Sequence, residues 1–188
     1  IKARAEMDYS ALKKKFSNEK TYKKNLPSNL SCKTLYSIAE KIRYESLGGV
    51  MLKGIKKNFI DNYNQIINLK RKDQLKSKED VSVNEAFELY MLKNFHNIQL
   101  NSLTKKMLSF WENEFDQSIS EHIKFLRDNF ENQDKYSSKF SEILQKMDIF
   151  NNEDNDETKE QNHEDSQNNQ QNEEQESSTE DNKDQNKQ

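Results

Sequence analysis

The apolar residues of this chain stop at Phe150: from Asn151 to Gln188 there is not one Ala, Val, Ile, Leu, Met, Phe, Trp, Tyr or Cys. A stretch with nothing to bury cannot offset the entropy of ordering its backbone, so residues 151–188 are expected to be a disordered, Asn/Gln/Glu-rich acidic tail. Whatever folds must therefore fold within residues 1–150, which can enclose one modest core. The chain opens on Ile1 instead of Met, and a fragment of a longer protein is expected.

Charge divides the chain as sharply as hydrophobicity does. Residues 1–78 carry 19 Lys or Arg against 7 Asp or Glu, residues 79–150 carry 8 against 13, and the tail carries 3 against 13. The formal net charge of −3 thus hides a strongly basic first half. Such a half favours phosphates, anionic headgroups or an acidic protein surface. Cys32 is the only cysteine, which leaves no internal disulfide and no thiolate metal cluster. No apolar run approaches the roughly 18 residues of a spanning helix.

Within the body the apolar period is helical throughout. Met7, Tyr9, Leu12 and Phe16 suggest a short helix, followed by a Lys- and Asn-rich loop as far as Pro27. Ser31 is the expected cap of a helix carrying Leu35, Ile38, Ala39 and Ile42, which should end at Gly48-Gly49. Leu52, Ile55, Phe59, Tyr63, Ile66 and Ile67 mark an amphipathic helix with a lysine-rich back. The stretch Ser82 to Phe130 holds the widest apolar stripe and is expected to be the element on which the rest packs, with Trp111 at the centre of the core. Ser82 and Glu85 have the spacing of a capping box. Tyr136, Phe140, Ile143, Leu144 and Met147 form a last helix. No period-2 alternation appears, so the expected fold class is all-α, an irregular bundle of five to six helices.

Chemistry is sparse in this pattern. The Gly48-Gly49 and Gly54 cluster matches no phosphate-binding loop and reads as a helix end. His96 and His122 lack a second ligand at metal spacing, and Glu112, Glu114, Asp116 and Glu121 read as a solvated helix face. No catalytic, cofactor-binding or metal-binding residue is assigned, no small-molecule substrate is identified, and no enzyme activity is expected. The basic clusters carry more weight. Lys13, Lys14, Lys15, Lys23, Lys24, Lys53, Lys56, Lys57, Lys70, Arg71 and Lys72 are the candidate residues for binding an anionic surface. Other protein subunits and an anionic membrane surface are the partners considered first. Nucleic acid is the weaker alternative, because the aromatics lie on apolar helix faces instead of alternating with the lysines.

Three runs carry a resemblance: Tyr22-Lys23-Lys24-Asn25-Leu26-Pro27, Glu45-Ser46-Leu47-Gly48-Gly49 and Asn84-Glu85-Ala86-Phe87-Glu88-Leu89-Tyr90-Met91-Leu92-Lys93-Asn94-Phe95. With the Lys/Asn-rich usage and low-complexity tail, the chain resembles malaria-parasite proteins, and these runs resemble the C-terminal region of the cytoadherence-linked asexual (CLAG) family. That resemblance implies a non-enzymatic helical module of the high-molecular-weight rhoptry complex. It further implies secretion from the rhoptry and association with the host red-cell membrane, with roles in cytoadherence or nutrient-channel activity. Another exported helical protein that binds anionic membrane or host cytoskeleton is the alternative.

Overall fold

The element that organises the molecule is a long helix in the basic half. The computed structural model describes residues 2–69, 75 and 77–147, all within the unit Ile1–Asp148. Among these residues there are nine α-helices, two short 3-10 turns and no strand, so the all-α expectation holds. The sequence periodicity suggests five or six helices; the structure cuts several of these finer.

Helix α1 spans Lys2–Phe16, α2 Glu19–Lys24, α3 Leu30–Met51 and α4 Lys53–Leu69. Helix α5 spans Val83–Phe95, α6 Ser102–Ser109, α7 Glu112–Ile119, α8 Ile123–Asp128 and α9 Gln133–Gln145. Helix α3 packs against α1, α4, α5 and α9. It buries Leu35, Tyr36, Ala39 and Ile42, and also Glu40, Arg43 and Glu45. A helix surrounded on several sides must bury residues around most of its circumference, the charged ones included. That is why the apolar stripe alone points to Ser82–Phe130 as the centre, while the structure places α3 there.

Local signals explain where most helices begin. The Asn29 side chain accepts the Cys32 amide at 3.1 Å, so Asn29 rather than Ser31 caps α3. Ser82 caps α5 as its spacing predicts, accepting the Glu85 amide at 3.3 Å. Asn18, Asn101 and Asn132 cap α2, α6 and α9 in the same way. Helix α3 does not stop at the glycines. A Cβ on Gly48 would stand 2.4 Å from the Leu12 Cδ1, so glycine there serves the close approach of α1 instead of ending the helix.

The second half supplies an aromatic core. The Phe87 ring meets those of Phe115 and Phe140 edge-on at 5.6 and 6.2 Å, and Tyr136 tilts against Phe140 at 5.3 Å. Such edge-to-face pairs contribute about 0.5–1.5 kcal/mol each beyond area burial. Trp111 is not at this centre. It is half-buried at the entrance to α7, donates its indole N–H to the Val81 carbonyl at 2.9 Å, and carries Lys78 over its ring at 4.1 Å. An indole N–H needs an acceptor, and the acceptor here lies at the edge of the core.

Candidate functional site

A buried ion pair determines the shape of the basic surface above it. On α3, Arg43 donates its Nε to Glu40 Oε2 at 2.9 Å and an Nη2 hydrogen to Glu40 Oε1 at 2.8 Å. Its remaining donors reach the carbonyls of Phe130, at 2.7 Å, and Phe16. Glu40 Oε1 also accepts the Ser17 hydroxyl at 2.8 Å and the Gln133 amide at 2.9 Å, while Gln133 Oε1 accepts the Asn18 backbone N–H at 2.7 Å. Both charges are thus buried with their hydrogen-bonding capacity engaged, the condition under which a buried pair is tolerated. The consequence is positional: the end of α1 and the start of α2 are fastened to α3 and α9. Lys24 reinforces this by bonding both Asp134 oxygens, at 3.0 and 3.1 Å, and the Asn25 amide adds a third bond at 3.0 Å.

Between the fastened segments lies a groove of about 570 Å³. Ser10, Lys13 and Lys14 of α1 line one side, Glu19, Tyr22 and Lys23 of α2 the other, with Ser17 between them. Glu19 is bonded to Lys23 at 2.7 Å, and that hydrogen bond, then the lysine's charge, holds its carboxyl below the usual range. Tyr22 is half-buried, its hydroxyl pushed above its ordinary value by burial and then by the Glu40 charge.

The structure therefore divides the candidate anion-binding residues. Lys13, Lys14 and Lys23 come together in the groove. Lys24 is committed to Asp134. Lys15 lies 3.1 Å from the Met51 sulfur at the α3–α4 corner, where Lys53, Lys56 and Lys57 are also exposed. Lys70, Arg71 and Lys72 lie outside the described residues. Ser10, Ser17, Glu19 and Tyr22 have no site role in the sequence reading, Glu19 and Tyr22 because residues 17–27 read as a loop. An Asn18-Glu19 start, a capping residue followed by an acid in the first turn, is the signal for the helix that carries Glu19 and Tyr22.

The α3–α4 corner has a character of its own. Val50 is 87% exposed, Met51 44% and Leu52 48%, an apolar tip bordered by lysines.

A second polar cluster lies inside the protein. Glu45, fully buried, accepts the Tyr63 hydroxyl on both oxygens at 2.9 and 3.0 Å. Lys41 sits 3.9 Å from Glu45 and 3.7 Å from Glu88, over the rings of Tyr9 and Tyr63. His96 Nε2 is 3.3 Å from Glu45 but is not aligned to hydrogen-bond with it. Burial, then the Glu45 charge, pushes the Tyr63 hydroxyl well above its ordinary value. None of these side chains lines the groove, and the cluster joins α1, α3, α4 and α5. The acidic face of α7 is not free either: Glu112 pairs with Lys93 at 2.6 Å, Glu114 with Lys78, and Asp116 accepts the Tyr90 hydroxyl at 2.9 Å. Among the described residues no group of three or more His, Cys, Asp or Glu could hold a metal ion.

Fold and groove together define a helical protein with a cationic cleft built on a buried ion-pair network. The family model described as Cobalamin biosynthesis protein CobT matches residues 1–188, and the chain belongs to that family. No curated protein and no solved structure matches it.

Membership corrects several expectations. The resemblance to the CLAG family and to malaria-parasite rhoptry proteins is overturned. The three runs that carried it lie on α2 and the turn after it, on α3 beside Leu12, and on the core face of α5. The first buries no helical residue and the other two report helix packing, so none carries distinguishing chemistry. The non-enzymatic cytoadherence or nutrient-channel module, and the exported membrane- or cytoskeleton-binding alternative, fall with it. The expectation of no enzyme activity is likewise corrected by membership of a biosynthetic family. The rhoptry and red-cell membrane location is overturned too, and no helix among the described residues is long and apolar enough to cross a membrane. Protein partners remain in keeping with the family, which lends no support to membrane or nucleic-acid partners.

Proposed function

We propose that this chain is a helical subunit of a multi-subunit enzyme of cobalamin biosynthesis, of the cobalt-chelatase type, in which cobalt is substrate. The observation that carries the reading is the family match, which spans residues 1–188. The architecture supports it in one respect. The apolar tip Val50-Met51-Leu52, bordered by Lys15, Lys53, Lys56 and Lys57, suits an apolar cup with an acidic rim on another subunit. Small exposed apolar clusters inside a charged border are the usual anchors of such contacts.

The test is genetic and chemical. Cells lacking the chain should lose cobalamin and accumulate the metal-free corrin precursor, and the wild-type chain should restore both. Unchanged cobalamin would overturn the biosynthetic role; loss of cobalamin without the metal-free precursor would overturn the chelatase step. A chain carrying Val50→Ser and Leu52→Ser should keep its helix content yet fail to restore cobalamin. Full restoration would remove the corner from the interface.

A further inference from the structure

We propose that the α1–α2 groove is a binding site for a compact polyanion, a small molecule bearing at least two carboxylate or phosphate groups. The geometry points to a small molecule because the groove, open on one side, has a volume of about 570 Å³, within the range of roughly 300–1,000 Å³ typical of ligand pockets. Its lining carries three lysines and a single carboxylate. That carboxylate, Glu19, is engaged by Lys23, so Lys13 and Lys14 have no ion pair among the described residues. Lys13 and Lys14 of α1 line the groove together with Lys23 of α2, whose charge Glu19 offsets, so the lining keeps a net charge of about +2. A single negative group would balance only part of that charge, whereas a molecule with two or more anionic groups can balance it and bond both Lys13 and Lys14.

Two further features separate the groove from an ordinary lysine-rich surface. The first is rigidity. Arg43 fastens the Phe16 carbonyl, and Gln133 and Glu40 fasten Ser17 and Asn18, so the backbones that carry the lysines are fixed before anything binds. Lysines on a fixed backbone lose less on binding than lysines on a loose loop, which must order its backbone as well. The second is Tyr22, a residue of the groove lining whose hydroxyl has no partner among the described residues. It supplies a directional neutral donor beside the charges. Ser17 does not, because its hydroxyl already donates to Glu40.

The corner lysines provide the control, since Lys53, Lys56 and Lys57 offer the same number of charges without the groove. Calorimetric titration of the full chain with citrate and with pyrophosphate should show saturable binding of at least one. Acetate and inorganic phosphate should bind more weakly. Lys13→Gln with Lys14→Gln should weaken the polyanion by about tenfold or more, and Lys53→Gln with Lys56→Gln and Lys57→Gln should leave it within about twofold. Tyr22→Phe, which removes only the donor, should weaken binding by a smaller factor with the fold unchanged by circular dichroism. The relative affinity of the two probes decides between carboxylate and phosphate. Equal losses from the groove and corner variants would overturn the proposal in favour of diffuse charge attraction. So would the absence of binding to both probes, or a preference for a nucleic-acid oligomer that the groove substitutions do not change. These outcomes are independent of cobalamin output in cells, so groove and biosynthetic role can fail separately.

Discussion

Arg43 is 1% exposed and spends its hydrogen bonds on Glu40 and on the carbonyls of Phe16 and Phe130, residues far apart in the chain. Removing it alone would leave Glu40 as an uncompensated buried charge. Arg43→Met should therefore cost about 3–5 kcal/mol in urea unfolding, while adding Glu40→Met should recover much of that loss. A single substitution that changes the urea midpoint little would mean that the pair is wet and the groove above it is not held. None of this is legible in the sequence. Arg43 and Glu40 read as polar positions of an amphipathic helix, and the groups that justify their burial, Gln133 and the Phe130 carbonyl, arrive from α9 and the turn before it. Lys13, Lys14 and Lys23 are legible as basic residues, but only the packing of α2 separates them from Lys24, which is taken up by Asp134.

At the scale of the element, helix existence is legible and helix purpose is not. The Ser82 cap, the α9 stripe and the amphipathic α4 follow directly from spacing, because capping and periodicity are local physics. Gly48 shows where local physics loses. Glycine costs a helix interior about 1 kcal/mol relative to alanine, yet α3 runs through it because Leu12 occupies the space of the missing Cβ. Gly54, in the first turn of α4, has nothing within 4 Å of that position. The two substitutions should therefore act in opposite directions. Gly48→Ala should destabilise, since overpacking of about 1–3 kcal/mol exceeds the propensity gain. Gly54→Ala should raise stability by up to about 1 kcal/mol. Thermal melts that move the same way for both would contradict the packing of α1 on α3. The long stripe from Ser82 to Phe130 is divided into α5 to α8 by caps and 3-10 turns, such as the Asn101 cap of α6, which periodicity alone passes over.

Across the whole molecule the seven tyrosines tell one story. Each has its hydroxyl raised above the ordinary value of 10.0, with burial the largest cause: Tyr9 and Tyr36 to about 12, Tyr63 and Tyr136 well above the ordinary value, and Tyr22, Tyr44 and Tyr90 upward as well. Above pH 10 the unfolded chain has lost protons that the folded chain still holds, so ∂ΔG/∂pH is negative there. Their contribution is fully present below pH 10 and falls as pH rises through the folded values. Tyrosinate absorbance should consequently stay low through pH 10 and then rise together with the loss of helix by circular dichroism. A smooth titration centred on 10.0, with helix intact, would show that the tyrosines are exposed. The division of charge at residues 78 and 150 is visible in the sequence; the expected disordered tail at 151–188 lies outside the described residues.

A role in cobalamin biosynthesis at the cobalt-insertion step is read out by incorporation of radioactive cobalt into corrinoid. Extracts of cells lacking the chain should incorporate almost none into added metal-free corrin, and the purified protein should restore incorporation in proportion to the amount added. Equal incorporation with and without the chain would contradict the account.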